Sequence, residues 1–496
     1  LRREAGSEGI LVSLDLLVVN PGAAHGIYGE LGNSLIAVEP PLWCRILAAH
    51  ARDKDYSVDI LDAEALGMGG AEAAREAAKR KPQLVCVAVY GHQPSASTQQ
   101  MWGAREFCLQ FVSLSAAPIV MVGGHPSALP ERTFDEEIVD YVAVGEGPAT
   151  VEGLLEGRDE KDIPGLVWSE EGGPVHVNKP PPLFHPDDLH GNAWDLLPMD
   201  RYRAHNWQCF GDLSKRQPYA SIFTSLGCPY KCTFCCINAP FDSNKYRMRS
   251  PAEVVDEIRQ LYRGYGVDTF KITDEMFVLN EKHYTAICEG LINSGLGKKI
   301  NIWAYARVDT VKPDTLALLR RAGIRWLALG IESGSAHVRD GAMKKLRQSD
   351  IIGTVRSIQD AGINVIGNFM FGLRDDDEKT MKATLDLAIQ CRPDFANFYS
   401  TMAYPGSGLY AQAIKEGWTL PETWRGYSQH NDDCRPLDTE HVSGKTVLAY
   451  RDNAFRKFFS DRDYLDHVFD KFGEEAENHV HKMLSYRLKR KLLEAA

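Results

Sequence analysis

The chain has 496 residues, 44% hydrophobic and 25% charged, and its 56 basic and 67 acidic side chains leave a net charge of −11. That composition excludes a disordered polymer, and the acidic balance argues against a nonspecific grip on nucleic acid. The length admits two or three domains, each with its own core.

No apolar run reaches the roughly 18–20 residues of a membrane span, and no segment reads as a signal peptide. The first nine residues lack a methionine and are expected to be a trimmed end. Eleven cysteines, mostly scattered singly, fit a reducing cytoplasm better than a secreted disulfide framework.

In chain order, short β-branched apolar runs at Leu14–Asn20, Tyr56–Asp62, Gln83–Tyr90, Ile119–Gly124 and Tyr141–Val144 read as strands. Helical patterns separate them, as at Leu42–Lys54 and Ala71–Lys81. Near-continuous apolar strands alternating with helices predict a parallel sheet covered on both faces, a doubly wound, flavodoxin-like α/β domain over 1–158. Gly- and Pro-containing loops follow four strands: "NPGAAHG", "GHQPSAST", "GGHPSA" and "GEGPAT". They lie where open α/β sheets bind ligands, although glycines there also serve simple tight turns. Residues 159–212 are rich in proline and weakly periodic, and are expected to be a linker with one short hairpin.

The β/α alternation then resumes. Strands are expected at Ala220–Ser225, Thr269–Thr273, Asn301–Ala304, Trp326–Gly330, Asn364–Gly367 and Ala396–Ser400. Ser250 before Pro251 marks a helix start over Pro251–Arg263. Six such units predict a partial (β/α)6 barrel over 213–410, with its site at the carboxyl ends of the strands. Residues 411–496 read as a polar helical extension, and its basic run "RLKRK" as a solvated face.

"TSLGCPYKCTFCC", Thr224–Cys236, holds four cysteines in nine residues. Cys228, Cys232 and Cys235 are spaced C-x3-C-x2-C on a loop directly after a strand. Structural zinc wants four closed ligands, and the chain has no second pair at suitable spacing. A redox C-x-x-C leaves Cys228 unexplained. Three thiolates can hold three irons of a 4Fe-4S cluster and leave the fourth iron open to a non-protein ligand.

This pattern, with Phe234 before the last cysteine, resembles the radical S-adenosylmethionine (SAM) enzymes, in which SAM occupies the open iron. Four further segments resemble that family in order. "KITDEMFVLN" carries Asp274 and Glu275, similar to the acidic segment beside the SAM amino group, or else a helix cap and its partner. "ARVDTV" offers Arg307 for the SAM carboxylate, or for a surface salt bridge. "LGIESGS" carries Glu332 and Ser333, similar to the ribose-contacting segment, and "NFMFGLRDD" resembles the strand beside adenine. The likeness covers roughly Leu213–Gly408, and Cys236, outside the pattern, is read as a packing neighbour.

The words "NPGAAHGIYGE", "EPPLW", "YGHQPSAS", "GGHPSALP" and "VGEG" resemble the subgroup whose N-terminal domain binds cobalamin. The resemblance implies cofactor contacts from Asn20, His25, Gly91, His92, Ser95, Gly123, Gly124, His125, Gly145 and Glu146. The D-x-H-x-x-G of methionine synthase is absent, with Ala23 and Tyr28 beside His25 where Asp and Gly would stand. Base-off cobalamin without a firm histidine ligand is therefore expected. His25, His92 and His125 serve equally as loop hydrogen-bonders, while Gly123 and Gly124 suit close backbone approach to a flat cofactor.

The resemblance implies a cobalamin-dependent radical SAM enzyme that methylates an unactivated carbon of a small molecule. The 5′-deoxyadenosyl radical would take hydrogen and methylcobalamin would give the methyl group, with a flavodoxin or ferredoxin as reductant. Non-methylating rearrangement, oxidation or cyclisation shares this architecture. A corrinoid or iron–sulfur carrier is the alternative of another class. Tyr399, Tyr404 and Tyr427 line the substrate pocket or fill core.

Overall fold

The computed structural model describes residues 13–23, 27, 36–91, 96–346 and 350–494. The first sheet has seven strands in the order β2-β1-β3-β4-β5-β6-β7. Its parallel part is β1 (Leu14–Asn20), β2 (Val58–Asp62), β3 (Pro82–Val89), β4 (Ile119–Gly123) and β5 (Tyr141–Ala143). The order 2-1-3-4-5 is that of a flavodoxin-like doubly wound domain. Alternation along β1 shows why both faces are apolar. Leu16 and Val18 pack with Trp43 and Leu47, whereas Leu17 and Val19 pack with Ala73 and Phe107 on the other side.

The stretch expected as a linker is packed rather than free. β6 (Leu166–Ser169) and β7 (Val175–Val177) form an antiparallel hairpin that extends the first sheet from β5. Beyond it, Trp194, Tyr202 and Trp207 are buried. The Tyr202 hydroxyl donates to Asp62 at 2.7 Å, and buried Arg45 donates to the carbonyls of Gly191 (2.8 Å) and Ser221 (3.1 Å). Prolines erase the periodicity here, but scattered aromatic side chains still supply burial.

The second sheet has six parallel strands in the order β15-β14-β13-β12-β11-β8. β8 is Tyr219–Ile222, and β9 (Ser225–Leu226) pairs antiparallel with β10 (Arg247–Met248) beside it. β11 (Thr269–Ile272), β12 (Asn301–Arg307), β13 (Ile324–Glu332), β14 (Asn364–Phe371) and β15 (Phe395–Ser400) follow. β8 and β15 are edge strands, so this is an open half-barrel. Pro251 opens the helix Pro251–Tyr265, but Ser250 does not cap it in the expected way. Its amide and hydroxyl donate to Asp187 at 2.7 and 2.6 Å.

Trp207 fills the amino-end mouth of the half-barrel against Trp303, Trp326 and Phe395, with ring centroids 5.3, 5.4 and 5.9 Å away. The C-terminal helices Gly444–Phe459, Arg462–Phe472 and Glu474–Ser485 span the gap between the edge strands. Arg451 donates to Phe398 of β15 at 2.8 Å, while His479 meets Asn206, which precedes β8, at 3.2 Å. Among the described residues no helix is long and apolar enough to cross a membrane.

Candidate functional site

The cysteine loop leaves β9 through Gly227, whose φ of +81° and 2.3 Å approach of a notional Cβ to the Lys245 carbonyl oxygen admit only glycine. Asn238 clamps Cys228 from both sides, accepting from its amide (3.1 Å) and donating to its carbonyl (2.9 Å). Thr233 is pinned through its amide to Ala342 (3.1 Å) and through its carbonyl to Leu409 (2.7 Å). Cys228, Cys232 and Cys235 are all free thiols lining one cavity of about 820 Å³. Burial pushes all three thiols up, Cys228 to about 11, so a metal binding there must displace protons.

Those thiols do not gather on one point. Among the described residues no three His, Cys, Asp or Glu side chains converge on a single ion. Three spread thiols on one rigid loop fit a cuboidal cluster, in which each thiolate takes its own iron. Cys236 is buried with Met402 and Tyr404, and also reaches the cavity wall.

The acidic pair divides. Asp274 is buried and consumed, accepting from the Thr224 amide (2.6 Å), the Thr224 hydroxyl (2.5 Å) and the Ser225 hydroxyl (2.6 Å). It ties the end of β11 to the root of the cysteine loop. Glu275 lines the cavity and has no hydrogen bond or ion pair among the described residues; burial pushes its carboxyl up to about 7. Arg307, at the end of β12, also lines the cavity. Its guanidinium lies 3.9 Å over the Tyr230 ring and is held by Asp309 (2.9 and 3.1 Å) and the Lys345 carbonyl (2.9 Å).

Glu332 ends β13 in the left-handed region, at φ +64°, where a non-glycine residue is strained. Lys344 holds it there through a 2.7 Å ion pair beside Cys232. A Cβ on Gly330 would sit 2.6 Å from both charged groups, so glycine leaves room for the pair. Ser333 is buried away from the cavity, bonding Thr384 (3.2 Å) and the Ser335 amide (3.1 Å). Phe234 and Met370 reach the cavity wall, as do Asn368 and Asn397, joined at 3.0 Å.

At the first sheet, the cavity is lined by Glu64, Ala96, Gln99 and Gln100. Among the described residues the buried Gln100 Oε1 has no hydrogen-bond partner, an acceptor that fits the amide-rich rim of a corrin. His25, His92 and Ser95 lie outside the described residues. Asn20 donates to Asp62 at 2.8 Å. Gly123 is required by the chain itself, since a Cβ would meet the Val89 carbonyl oxygen at 2.0 Å; Gly124 has more room. His125 is buried 4.4 Å from Trp424, bonds Thr98 at 3.2 Å, and is held neutral by burial, its pKa lowered to about 3. Gly91 turns at φ +72° against Ala96, and Gly145 at φ +106° accepts from Tyr90 at 3.0 Å. Glu146 is an interdomain tie, accepting from Phe184 (2.9 Å) and pairing with Arg247 (2.8 Å). Tyr399 and Tyr404 line the cavity, whereas Tyr427 is core.

Lys344 and Gln100 carry no spacing signal in the sequence, and only the fold brings them to the cysteines or the cavity, whereas Tyr230 and Asn238 stand within and just beyond the cysteine run, unmarked by its spacing.

Residues 222–388 match the radical SAM superfamily and residues 31–155 the B12 binding domain. An uncharacterized methyltransferase of Pyrococcus horikoshii is 28% identical over 453 residues, 90% of this chain and 92% of that protein. The anaerobic magnesium-protoporphyrin IX monomethyl ester cyclase of Rubrivivax gelatinosus is 23% identical over 468 residues, 91% of this chain and 79% of that protein. The radical SAM methyltransferase TsrM of Kitasatospora setae, solved with cobalamin and a 4Fe-4S cluster bound, superposes with a TM-score of 0.64. Its identity is 21%, over 82% of this chain and 75% of that one.

Proposed function

We propose, from the premise that this chain belongs to the cobalamin-dependent radical SAM family, that it methylates an unactivated carbon of a small-molecule substrate. The observation that carries the reading is the single cavity that joins the three free thiols to the carboxyl edge of the B12-binding sheet. When bound, the reduced cluster supplies the electron that cleaves SAM, and cobalamin supplies the methyl group.

The chain's own contribution is positioning. Cys228, Cys232 and Cys235 would hold the cluster. Glu275, the unpaired carboxylate, would receive the SAM amino group, and Arg307, stacked on Tyr230, its carboxylate. Glu332, steadied by Lys344, would orient the ribose. Gln100 would bond the corrin side chains. The aromatic plug at Trp207 and the C-terminal helices would exclude water from the reacting atoms. The division into 1–158 (cobalamin), 159–212 (connection), 213–410 (half-barrel) and 411–496 (helical wall) belongs to this proposal. So do a flavodoxin- or ferredoxin-type reductant and a cytoplasmic setting.

A second reading, radical oxidation or cyclisation without methyl transfer, is favoured by the relation to the anaerobic cyclase. Methyl-labelled SAM separates the two. Anaerobically reconstituted protein is expected to carry the label onto bound cobalamin. Label that stays on SAM and on the methionine released from it, with cluster and cobalamin intact, overturns methylation and leaves the second reading.

A further inference from the structure

The basic run after the last long helix has a place in the cavity. Arg451 and Arg456, on the helix Gly444–Phe459, and Arg487 and Arg490, in the segment beyond Glu474–Ser485, all line it. These four cations face two acids on the same wall, Asp452 and Glu494. Asp452 is shared by Arg451 (2.8 Å) and Arg490 (2.9 Å). The other two arginines, half-buried Arg456 and exposed Arg487, form no ion pair with an acid among the described residues, although Asp452 acts on Arg456 through space. Arg456 donates to the carbonyls of Leu484 (3.4 Å) and Tyr486 (3.2 Å), which brings its guanidinium beside Arg487. Arg487 makes no hydrogen bond or ion pair there, and no ion pair joins Glu494 to either arginine.

Two adjacent guanidinium groups without a counter-ion repel, and a bound oxyanion relieves that repulsion through charge-assisted hydrogen bonds. Burial and the neighbouring Arg487 pull the Arg456 pKa down, and Asp452 offsets only part of that, in keeping with a pair that is not fully neutralised. Phe455, Met483, Tyr486 and Leu488 add apolar lining beside them, and Phe398 and Met402 also line the cavity shared with the cysteine loop. We propose that Arg456 and Arg487 hold the anionic head, a carboxylate or phosphate, of a substrate whose apolar body extends into the cavity toward the cysteine loop. This rests on the reading of the cavity as the site of a radical SAM enzyme and names its substrate class.

The test uses full-length, reconstituted protein and three probes below their micellar range: decanoate, decyl phosphate and uncharged decanol. Calorimetry is expected to show at least one anion binding on the order of 10- to 100-fold tighter than decanol. The anion that binds tighter names the head group. The double variant Arg456→Gln/Arg487→Gln should bring the anions to the affinity of decanol, and Arg456→Lys/Arg487→Lys should recover part of the difference. On the wild-type chain, added salt should weaken the anions and leave decanol unchanged, a readout that does not depend on a folded variant. Equal affinity for decanol and both anions, or anion binding indifferent to salt and to the double Gln variant, overturns the proposal. Formation of 5′-deoxyadenosine from SAM in the same wild-type preparation reports separately on the radical reading. Its absence with the anion preference intact sinks that reading and leaves the anion site standing.

Discussion

Lys271→Met should destabilise the protein strongly, because the strut it removes joins the two halves of the chain inside the cavity wall. Lys271 lies on β11, buried, with its ammonium 3.1 and 2.9 Å from the two oxygens of Glu39, which is 2% exposed and precedes the helix Leu42–Arg52. The ammonium also sits 4.9 Å from the Trp303 ring. Methionine keeps the volume but removes the ammonium from a buried carboxylate. Breaking one side of a buried ion pair costs about 3–5 kcal/mol, mostly because the remaining charge stays desolvated. Glu39→Gln/Lys271→Met removes both charges and should cost less than the sum of the single variants by about 2 kcal/mol or more. Urea denaturation followed by tryptophan fluorescence and circular dichroism reads the shifts. A Lys271→Met shift below about 0.5 kcal/mol, or strict additivity in the cycle, refutes the assignment of the pair as an interdomain strut.

Cys235→Ala should abolish the iron–sulfur absorbance of reconstituted protein, whereas Cys236→Ala should keep it, at a stability cost of about 1–2 kcal/mol for the small buried side chain. Asn238→Ala frees both backbone groups of Cys228, and should lower iron retention during gel filtration without changing the iron-to-sulfide ratio of what remains. Asp394 predicts a pH effect. Its burial alone would raise its pKa, but His467 (3.0 Å) and Lys471 (2.5 Å) outweigh that and hold it below the usual value. A depressed folded pKa stabilises fully above the unfolded value of about 3.9, and the stabilisation disappears as pH falls through the folded value. The stability gap between wild type and Asp394→Asn should therefore be constant above about pH 5 and shrink below about pH 4, read from urea midpoints.

The strands were legible because their cores are β-branched and apolar, and β1 ends where its pattern does. β12 and β13 run on past the apolar pattern to Arg307 and Glu332, because those polar ends carry cavity residues that hydrophobicity does not mark, and β14 runs on through the cavity residue Asn368 to Phe371. The cysteine spacing was readable since its three thiols share one loop. The partners of Glu332 and Arg307 were not, since Lys344 and Tyr230 meet them only through the barrel's geometry. Glycine at 123 reflects strand packing, and His125 and Glu146 are taken up by Trp424 and Arg247. Composition cannot distinguish a cofactor edge from a close-packed one. In the basic tail read as solvated, Arg487, Lys489 and Lys491 are exposed, whereas Arg490 is buried; Arg487 and Arg490 both border the cavity, an outcome that depends on which gap the last helices close.

The central claim is that the three thiols hold a cluster that cleaves SAM within this cavity. Its most direct measurement is 5′-deoxyadenosine formed by anaerobically reconstituted full-length protein given SAM and dithionite. Wild-type protein is expected to form it, and Cys232→Ala to lose it. No 5′-deoxyadenosine from wild-type protein with an intact, reducible cluster would contradict it.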